Sequence, residues 1–344
     1  MIGRKYGIHR VIDPEGVLPQ AALKISNDTE ISDDEILIDV QALNIDSASF
    51  TQIEKSQEDD VEKIKESIMK IVEERGKMQN PVTGSGGMLI GTVERIGKDI
   101  LPETDLEVGD RIATLVSLSL TPLKIYEIKN IYSNIDRVEI DGKAVLFESG
   151  LYVKLPEDMS ENLALAVLDV AGAPAQTSKM VEEGDSVLVL GGFGKSGVLC
   201  CYEAKKRAGS KGKVVGLVAF QKDREYLIKT GFCDEVVVAD AANPMEVLEK
   251  AVNANDGREF DIAINCVNVQ NTEMSTILPV KDGGMAYFFS MATSFTKAAL
   301  GAEGAAKDVK LYIGNGYTRG HAEMALNELK ESEVLRKIFE ERYS

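Results

Sequence analysis

Residues 187–197, VLVLGGFGKSG, set closely spaced glycines directly after an apolar run, the pattern of a loop that holds phosphate. Gly194-Lys195-Ser196 has the ending of a nucleotide-hydrolase P-loop, but that loop needs a further glycine five residues before Gly194, and Val189 stands there. Gly192, Gly194 and Gly197 instead spell the G-x-G-x-x-G of a dinucleotide site. Such a site needs a tight turn off a strand, bare backbone facing a pyrophosphate, and a helix that starts at once and offers its first N–H groups to the anion. The candidate cofactor-binding residues are therefore Gly192, Phe193, Gly194, Lys195, Ser196 and Gly197. Gln221, Lys222 and Arg224 follow the next strand, and Cys266, Val267 and Ser290 lie at the ends of later ones.

Those later positions also bear on cofactor choice. NAD-specific folds place an acid about 20 residues past the glycine loop, where it accepts hydrogen bonds from the ribose hydroxyls. The strand here ends in Val218-Ala219-Phe220, and no acid occurs before Asp223, already in the following helix. Gln221, Lys222 and Arg224 are suited to a 2′-phosphate, so NADP is expected to be accepted at least as well as NAD.

The elements that must position these residues alternate. Strands at 186–190, 213–220, 235–238, 261–266 and 284–291 are separated by helices at 198–207, 223–230, 244–253 and 271–277, which predicts a doubly wound parallel sheet buried on both faces. Residues before about 150 read differently: strands at 35–42, 91–96 and 111–116 are joined by glycine- and proline-bearing turns, so a mainly β domain is expected. One helix stands out there, DDVEKIKESIMKIVEE at 59–74, with Val61, Ile64, Ile68, Ile71 and Val72 on one face. Residues 312–316 are expected to turn the chain into two amphipathic helices within 323–343. The expected division is a catalytic β-rich domain over 1–154, a Rossmann domain over 155–314 and a C-terminal return to the catalytic domain over 315–344, the two domains packing around a cleft.

With 344 residues the chain is long enough for two cores. Its 56 acids against 39 bases give a net charge of −17, which disfavours nucleic acid and anionic membrane as partners. No apolar run approaches the roughly 20 residues of a membrane span, and the N-terminus lacks a signal-peptide core, so a cytoplasmic protein is expected. Cys200, Cys201, Cys233 and Cys266 sit in or beside elements of the nucleotide domain as small buried hydrophobes. With His9 and His321 the only histidines, and no CxxC or HExxH, a zinc site has almost no ligands to draw on.

Further blocks carry a resemblance. GTVERIG (91–97), EVGDRIATL (107–115), LPEDMSENLALAVLDVAGAPAQT (155–177) and EEGDSVLVLGG (182–192) resemble, in order, the medium-chain dehydrogenase/reductase superfamily. The resemblance implies an α/β fold with a Rossmann-type domain plus a mainly β, GroES-like catalytic domain. Within it, ALNIDSASFTQIE (42–54), KMQNPVTGSGGMLIGTVE (77–94) and ATLVSLSLTPL (113–123) are similar to the L-erythro-3,5-diaminohexanoate dehydrogenase family. Where zinc-dependent members of the superfamily carry their ligands, this chain has Asp46, Gly87-Met88 and Asp169 or Val170, so no zinc is expected.

An alcohol gives up hydride as it becomes an alkoxide, which zinc promotes; an amine already has a lone pair once its ammonium loses a proton. The resemblance thus implies deprotonation at C3, hydride transfer to NAD or NADP, and hydrolysis of the imine to 5-amino-3-oxohexanoate and ammonium in lysine degradation. The alternatives are a zinc-independent quinone or enone reductase and a dinucleotide-binding protein without turnover. A diamino acid with one carboxylate needs both acids and a cation or amide donor around it. The candidate catalytic residues are Asp46, Asp169, Glu148 and Ser47, with Ser49, Thr83 and Ser85 to orient amine or water, and Lys77, Arg10 or His321 for the carboxylate. The expected assembly is a homodimer.

Overall fold

Buried along most of its length, the strand Glu35–Ile45 is the spine of the first half of the chain. The computed structural model describes residues 2–102, 104–314 and 316–343. It divides the chain into two units, Met1–Glu157 and Asp158–Ser344.

In the first unit β1 (Val11–Asp13) pairs with β2 (Lys24–Ile25) in a small antiparallel ladder. The main sheet contains β3 (Glu35–Ile45), β4 (Gly87–Ile96), β5 (Arg111–Thr114), β6 (Leu123–Tyr132), β7 (Arg137–Phe147) and β8 (Tyr152–Lys154). These run in the order β6-β7-β3-β4-β5-β8 with every pairing antiparallel. The β6–β7 hairpin was absent from the sequence expectation because its outer strand is half exposed and carries polar residues between its isoleucines.

Between β3 and β4 lie two helices where one was expected: α1 (Ser47–Ser56) and α2 (Val61–Arg75). Asp60 caps α2 by accepting from the N–H groups of Glu62 and Lys63, and Gly76, left-handed at φ 72°, ends it. Ile64, Ile68, Ile71 and Val72 enter the core as their spacing predicts. Val61, expected with them, is exposed, because at the first position of the helix it lies beyond the core edge.

Arg10 and Glu35 form the buried ion pair of this unit. Nε donates to Oε1 at 2.5 Å and Nη2 to Oε2 at 2.7 Å, while Nη1 donates to the Asp28 carbonyl at 2.6 Å. Burial pushes the Glu35 carboxyl up, but Arg10 and the Ser32 N–H outweigh it and leave its pKa below the ordinary value.

The second unit alternates as expected. α3 (Glu161–Leu168) and α4 (Gly172–Met180) precede β9 (Ser186–Leu190) and α5 (Lys195–Ala208); then follow β10 (Lys213–Val218), α6 (Gln221–Thr230), β11 (Glu235–Val238) and α7 (Pro244–Ala254). β12 (Phe260–Asn265), α8 (Glu273–Ile277), β13 (Val280–Phe288), α9 (Phe295–Gly304) and β14 (Lys310–Ile313) complete the parallel sheet, ordered β11-β10-β9-β12-β13-β14. Tyr312, expected in a turn, belongs to the edge strand β14, and Asn315 of that expected turn lies outside the described residues.

The two terminal helices, α10 (His321–Glu331) and α11 (Glu333–Tyr343), correct the expected return to the β-rich domain: they belong to the second unit, α10 packing on α3 and α4 and α11 on α3 and α5. The break between units falls after Glu157 rather than after residue 154. No helix among the described residues is long and apolar enough to cross a membrane.

α10 also brings Glu328 into the interior against Glu203 of α5. Both are almost fully buried, and neither Glu328 oxygen nor Glu203 Oε2 has a hydrogen-bond partner among the described residues. Arg207 Nε donates to the other Glu203 oxygen at 2.6 Å, and Lys206 Nζ stands 4.0 Å from Glu203 Oε2. Burial, with the Glu203 charge second, raises the Glu328 pKa to about 9, so it is protonated at neutral pH and its proton can serve Glu203. Burial of Leu326 and Leu329 in the same helix contributes about 1.5–3 kcal/mol each and offsets that cost.

Between the ordinary carboxyl pKa and about 9 the unfolded chain releases a proton that the native protein keeps, so this residue makes stability fall as pH rises through that window. Glu328→Gln is expected to remove the slope. Its melting temperature should exceed the parent's at pH 8, by about 2–4 °C per kcal/mol relieved, and converge with it toward pH 4. Thermal unfolding of both proteins across pH checks this; equal destabilisation of the variant at all pH values refutes it.

Candidate functional site

β9 runs straight into the glycine loop, and four valine and leucine side chains buried on both faces hold its end in the centre of the sheet. Gly191 makes the turn, at φ 78°. Its N–H and that of Gly192 both donate to the Leu217 carbonyl of β10 at 2.9 Å, and the Gly194 N–H donates back to the Gly191 carbonyl at 2.9 Å. α5 then starts at Lys195 without a side-chain cap, and Val198 is the first residue to donate to the Gly194 carbonyl. The N–H groups of Lys195, Ser196 and Gly197 thus form the uncapped first turn, where an anion is favoured.

The three pattern glycines have different reasons to be glycine. A Cβ on Gly197 would overlap the Gly191 carbonyl. One on Gly192 would lie 3.1 Å from Leu227 and 3.2 Å from the Cys201 sulfur. Gly194, exposed and extended at φ −74°, would meet only the Gly191 oxygen, at 3.3 Å. The first two serve packing; Gly194 leaves its exposed face open.

β9 is flanked by β10 on one side and β12 on the other, so chain order reverses at its carboxyl end and opens the crevice where such sheets bind dinucleotides. Cys266 and Val267, just past β12, line this point: a Gly191 Cβ would lie 3.2 Å from Val267 Cγ2 and 3.3 Å from the Cys266 carbonyl carbon. Asn265 organises the turn by accepting from the Val267 N–H at 2.9 Å. Ser290, past β13, donates its N–H to the Asn265 carbonyl at 3.3 Å. Gln221 and Lys222 are exposed at the start of α6. Arg224, by contrast, spends its Nε on the Val236 carbonyl at 2.9 Å and so latches α6 to β11.

The loop is also held from the C-terminus. Arg342 of α11 donates from Nη1 to the Phe193 carbonyl at 2.8 Å and lies 4.3 Å from the Phe193 ring, which stacks on Tyr226 at 5.9 Å. Lys195 pairs with Asp169 at 2.9 Å and lies 5.7 Å from the Tyr343 ring. Arg342, Tyr343 and Tyr226 escape sequence analysis, because nothing in their local spacing distinguishes them from surface residues of amphipathic helices.

In the first unit a second polar cluster surrounds the start of α1. The buried Ser49 hydroxyl lies 2.6 Å from both Thr83 Oγ1 and Ser85 Oγ. Asn80 Nδ2 donates to the Ser49 carbonyl at 3.2 Å and to Gln52 at 2.7 Å. Asp46 Oδ2 accepts from the Gly86 N–H at 3.1 Å, which ties the carboxylate to the loop carrying Thr83 and Ser85. That loop approaches so closely that a Cβ on Gly87 would overlap the Asn44 carbonyl.

Comparison with known proteins gives this geometry a family. The chain is 67% identical to the L-erythro-3,5-diaminohexanoate dehydrogenase of Acetoanaerobium sticklandii, covering 100% of both chains. It is 66% identical to that of Fusobacterium nucleatum, covering 99% of each. Residues 9–156 match the model of the L-erythro-3,5-diaminohexanoate dehydrogenase N-terminal domain. The chain belongs to the L-erythro-3,5-diaminohexanoate dehydrogenase family.

The fold of this family member is that of the Escherichia coli quinone oxidoreductase solved with NADPH: TM-score 0.54 at 14% identity, covering 93% of this chain and 86% of that one. A Rossmann unit and a GroES-like unit are thereby established. Asp46 is engaged with Gly86, Gly87-Met88 supplies no imidazole, and Asp169 is paired with Lys195. Among the described residues, no three His, Cys, Asp or Glu side chains converge.

The remaining sequence candidates of this dehydrogenase take other places. Ser47, exposed beside Asp46, donates to Asp136. Glu148 does not join Asp46: it follows Phe147, which pairs with Glu35 at the opposite end of β3, about 30 Å away at ~3.3 Å per residue. There it borders a surface depression with Arg4, Asp34 and Asp99.

None of the three cations considered for a carboxylate is presented for one. Arg10 is consumed by Glu35. Lys77 is buried, donating to the Pro19 carbonyl at 2.5 Å, with burial the main cause lowering its pKa to about 8. His321 is buried at the start of α10, where burial lowers its pKa and keeps it neutral.

Three variants separate packing from binding in the loop. Gly194→Ala should weaken dinucleotide affinity while leaving the melting temperature unchanged; Gly197→Ala should unfold the loop and lower both. Arg342→Ala, losing a charged hydrogen bond and a ring contact, should raise the dinucleotide Kd about tenfold. Fluorescence titration beside thermal unfolding tests all three, and unchanged affinity in Gly194→Ala would remove the loop from the binding site.

Proposed function

We propose that the chain is a nicotinamide-dependent amine dehydrogenase that converts L-erythro-3,5-diaminohexanoate to 5-amino-3-oxohexanoate and ammonium in lysine degradation. The observation that carries this function is the 67% identity to a dehydrogenase of that name over the full length of both chains, spanning both the glycine loop and the Asp46 cluster.

The cofactor, when bound, supplies the hydride acceptor. The chain's part is to hold it and prepare the substrate. The N–H groups of Lys195–Gly197 would hold the pyrophosphate beside the bare Gly194, and Arg342 ties down the loop through the Phe193 carbonyl. Asp46, oriented by the Gly86 N–H, takes the proton from the C3 ammonium and exposes its lone pair. The linked hydroxyls of Ser49, Thr83 and Ser85 can each donate and accept, which suits them to hold the water that hydrolyses the imine.

Purified protein given L-erythro-3,5-diaminohexanoate should release ammonium in step with nicotinamide reduction. Asp46→Asn should lower kcat/KM by about 10²-fold or more with dinucleotide Kd retained. Reduction of a quinone or enone with no turnover of the diamino acid would overturn the assignment; full activity of Asp46→Asn from pH 7 to 10 would overturn the role of Asp46.

For the choice of cofactor, we propose that NADP is accepted alongside NAD. No carboxylate stands at the end of β10 to repel a 2′-phosphate, and Lys222 is exposed at the positive end of α6. Because Arg224 latches α6 to β11, Lys222→Ala alone is the clean variant. It should lower kcat/KM for NADP several-fold more than for NAD; absence of NADP turnover in the parent refutes this.

A further inference from the structure

Two of the four cysteines meet at the dinucleotide crevice. Cys200, inside α5, and Cys266, in the turn just past β12, are 66 positions apart in sequence, yet their sulfurs lie 3.8 Å from one another. Cys200, Cys201 and Cys233 are buried; Cys266 alone is partly exposed. It adjoins Gly191, the residue that turns the chain into the glycine loop.

We propose that Cys266 and Cys200 form an oxidisable dithiol, closed to a disulfide by a hydroperoxide and shielded when a dinucleotide occupies the crevice. A disulfide needs sulfurs about 2.05 Å apart, so the pair must close by somewhat less than 2 Å. The Cys266 backbone N–H still donates to the Leu190 carbonyl at 3.0 Å, so the approach must come from rotation of its side chain, while Cys200 is fixed by its helix.

The order of events follows from access. The Cys266 thiolate attacks the distal peroxide oxygen; the O–O bond breaks, sulfenic acid forms, and the other oxygen leaves as water or an alcohol after gaining a proton. The Cys200 sulfur then attacks the sulfenic sulfur, the S–S bond forms, the S–O bond breaks, and water leaves with the Cys200 proton. Two thiols lose two electrons and the peroxide gains them. Burial pushes the Cys200 thiol up, so Cys200 is the resolving group and not the point of entry. The pair Cys201 and Cys233, also neighbours, is an internal control, since both are buried and lack a point of entry for peroxide.

The shielding rests on the dinucleotide function proposed above; the disulfide itself does not. The full chain is treated with hydrogen peroxide under native conditions, quenched by alkylation and digested without reductant. The expected result is a Cys200–Cys266 cross-linked peptide with loss of two hydrogens, absent from Cys200→Ala and Cys266→Ala. Cys200→Ala should otherwise retain the parent's untreated activity. At NADH or NADPH about ten times its separately titrated Kd, cross-linking should slow about tenfold, because only unliganded protein reacts. Oxidation of Cys266 to sulfinic acid with no cross-link, or a cross-link confined to Cys201–Cys233, overturns the dithiol. Unchanged cross-linking with cofactor demonstrably bound overturns the shielding, and a cofactor that fails to bind at all overturns the dinucleotide function while leaving the disulfide result to stand.

Discussion

The tightest constraint in the second unit is the approach of α5 to the turn that precedes it. The Gly191 carbonyl lies where any side chain at residue 197 would be, so the helix can start immediately after β9 only because Gly197 has no Cβ. That close start directs the first N–H groups of α5 toward the carboxyl end of the sheet. The same turn sends the Gly191 and Gly192 N–H groups to Leu217 of β10 and sets Gly191 against Cys266 and Val267 past β12. One steric condition thus joins three strands at the point where their order reverses, and the crevice there is its by-product.

The terminal helices complete that arrangement. α11 puts a guanidinium against the carbonyl and ring of Phe193, adding a charge-assisted bond and an aromatic contact to a loop otherwise held by backbone bonds. α10 supports it from below, burying Leu326 and Leu329 at the cost of taking a carboxyl inside. Protonation decides the balance: a neutral Glu328 beside Glu203 is tolerable, whereas two charges in that seam would not be.

The first unit solves a different problem. Glycines at 86 and 87 let the loop from α2 to β4 lie on the end of β3, which brings Ser85 and Thr83 onto Ser49 and gives Asp46 a backbone donor. A carboxylate oriented from one side and a linked set of hydroxyls are suited to moving a proton and holding a water without a metal. At the far end of β3 the Arg10–Glu35 pair has the opposite character: its donors and acceptors are satisfied internally, so it closes the structure and reacts with nothing.

Local information in the chain was enough for the alternating elements of the second unit, the Ile64/Ile68/Ile71 face of α2, and the glycine loop with its choice against a P-loop. Each depends on a period or spacing within a few residues. Family resemblance drew attention to Asp46 and the serines near it, which the fold brings together through the Gly86 N–H and the Ser49 hydroxyl. What depended on pairing between distant segments was not legible. Arg342 reaches Phe193 across 149 positions, and Cys200 meets Cys266 across 66. Glu148 looked close to the site in sequence blocks but follows the strand end opposite Asp46. Lys77, Arg10 and His321 read as available cations until burial assigned them carbonyls, a carboxylate and a neutral state. Side-chain type and period are properties of a short segment, whereas exposure and partner are set by sheet order and helix packing, which only the folded chain contains.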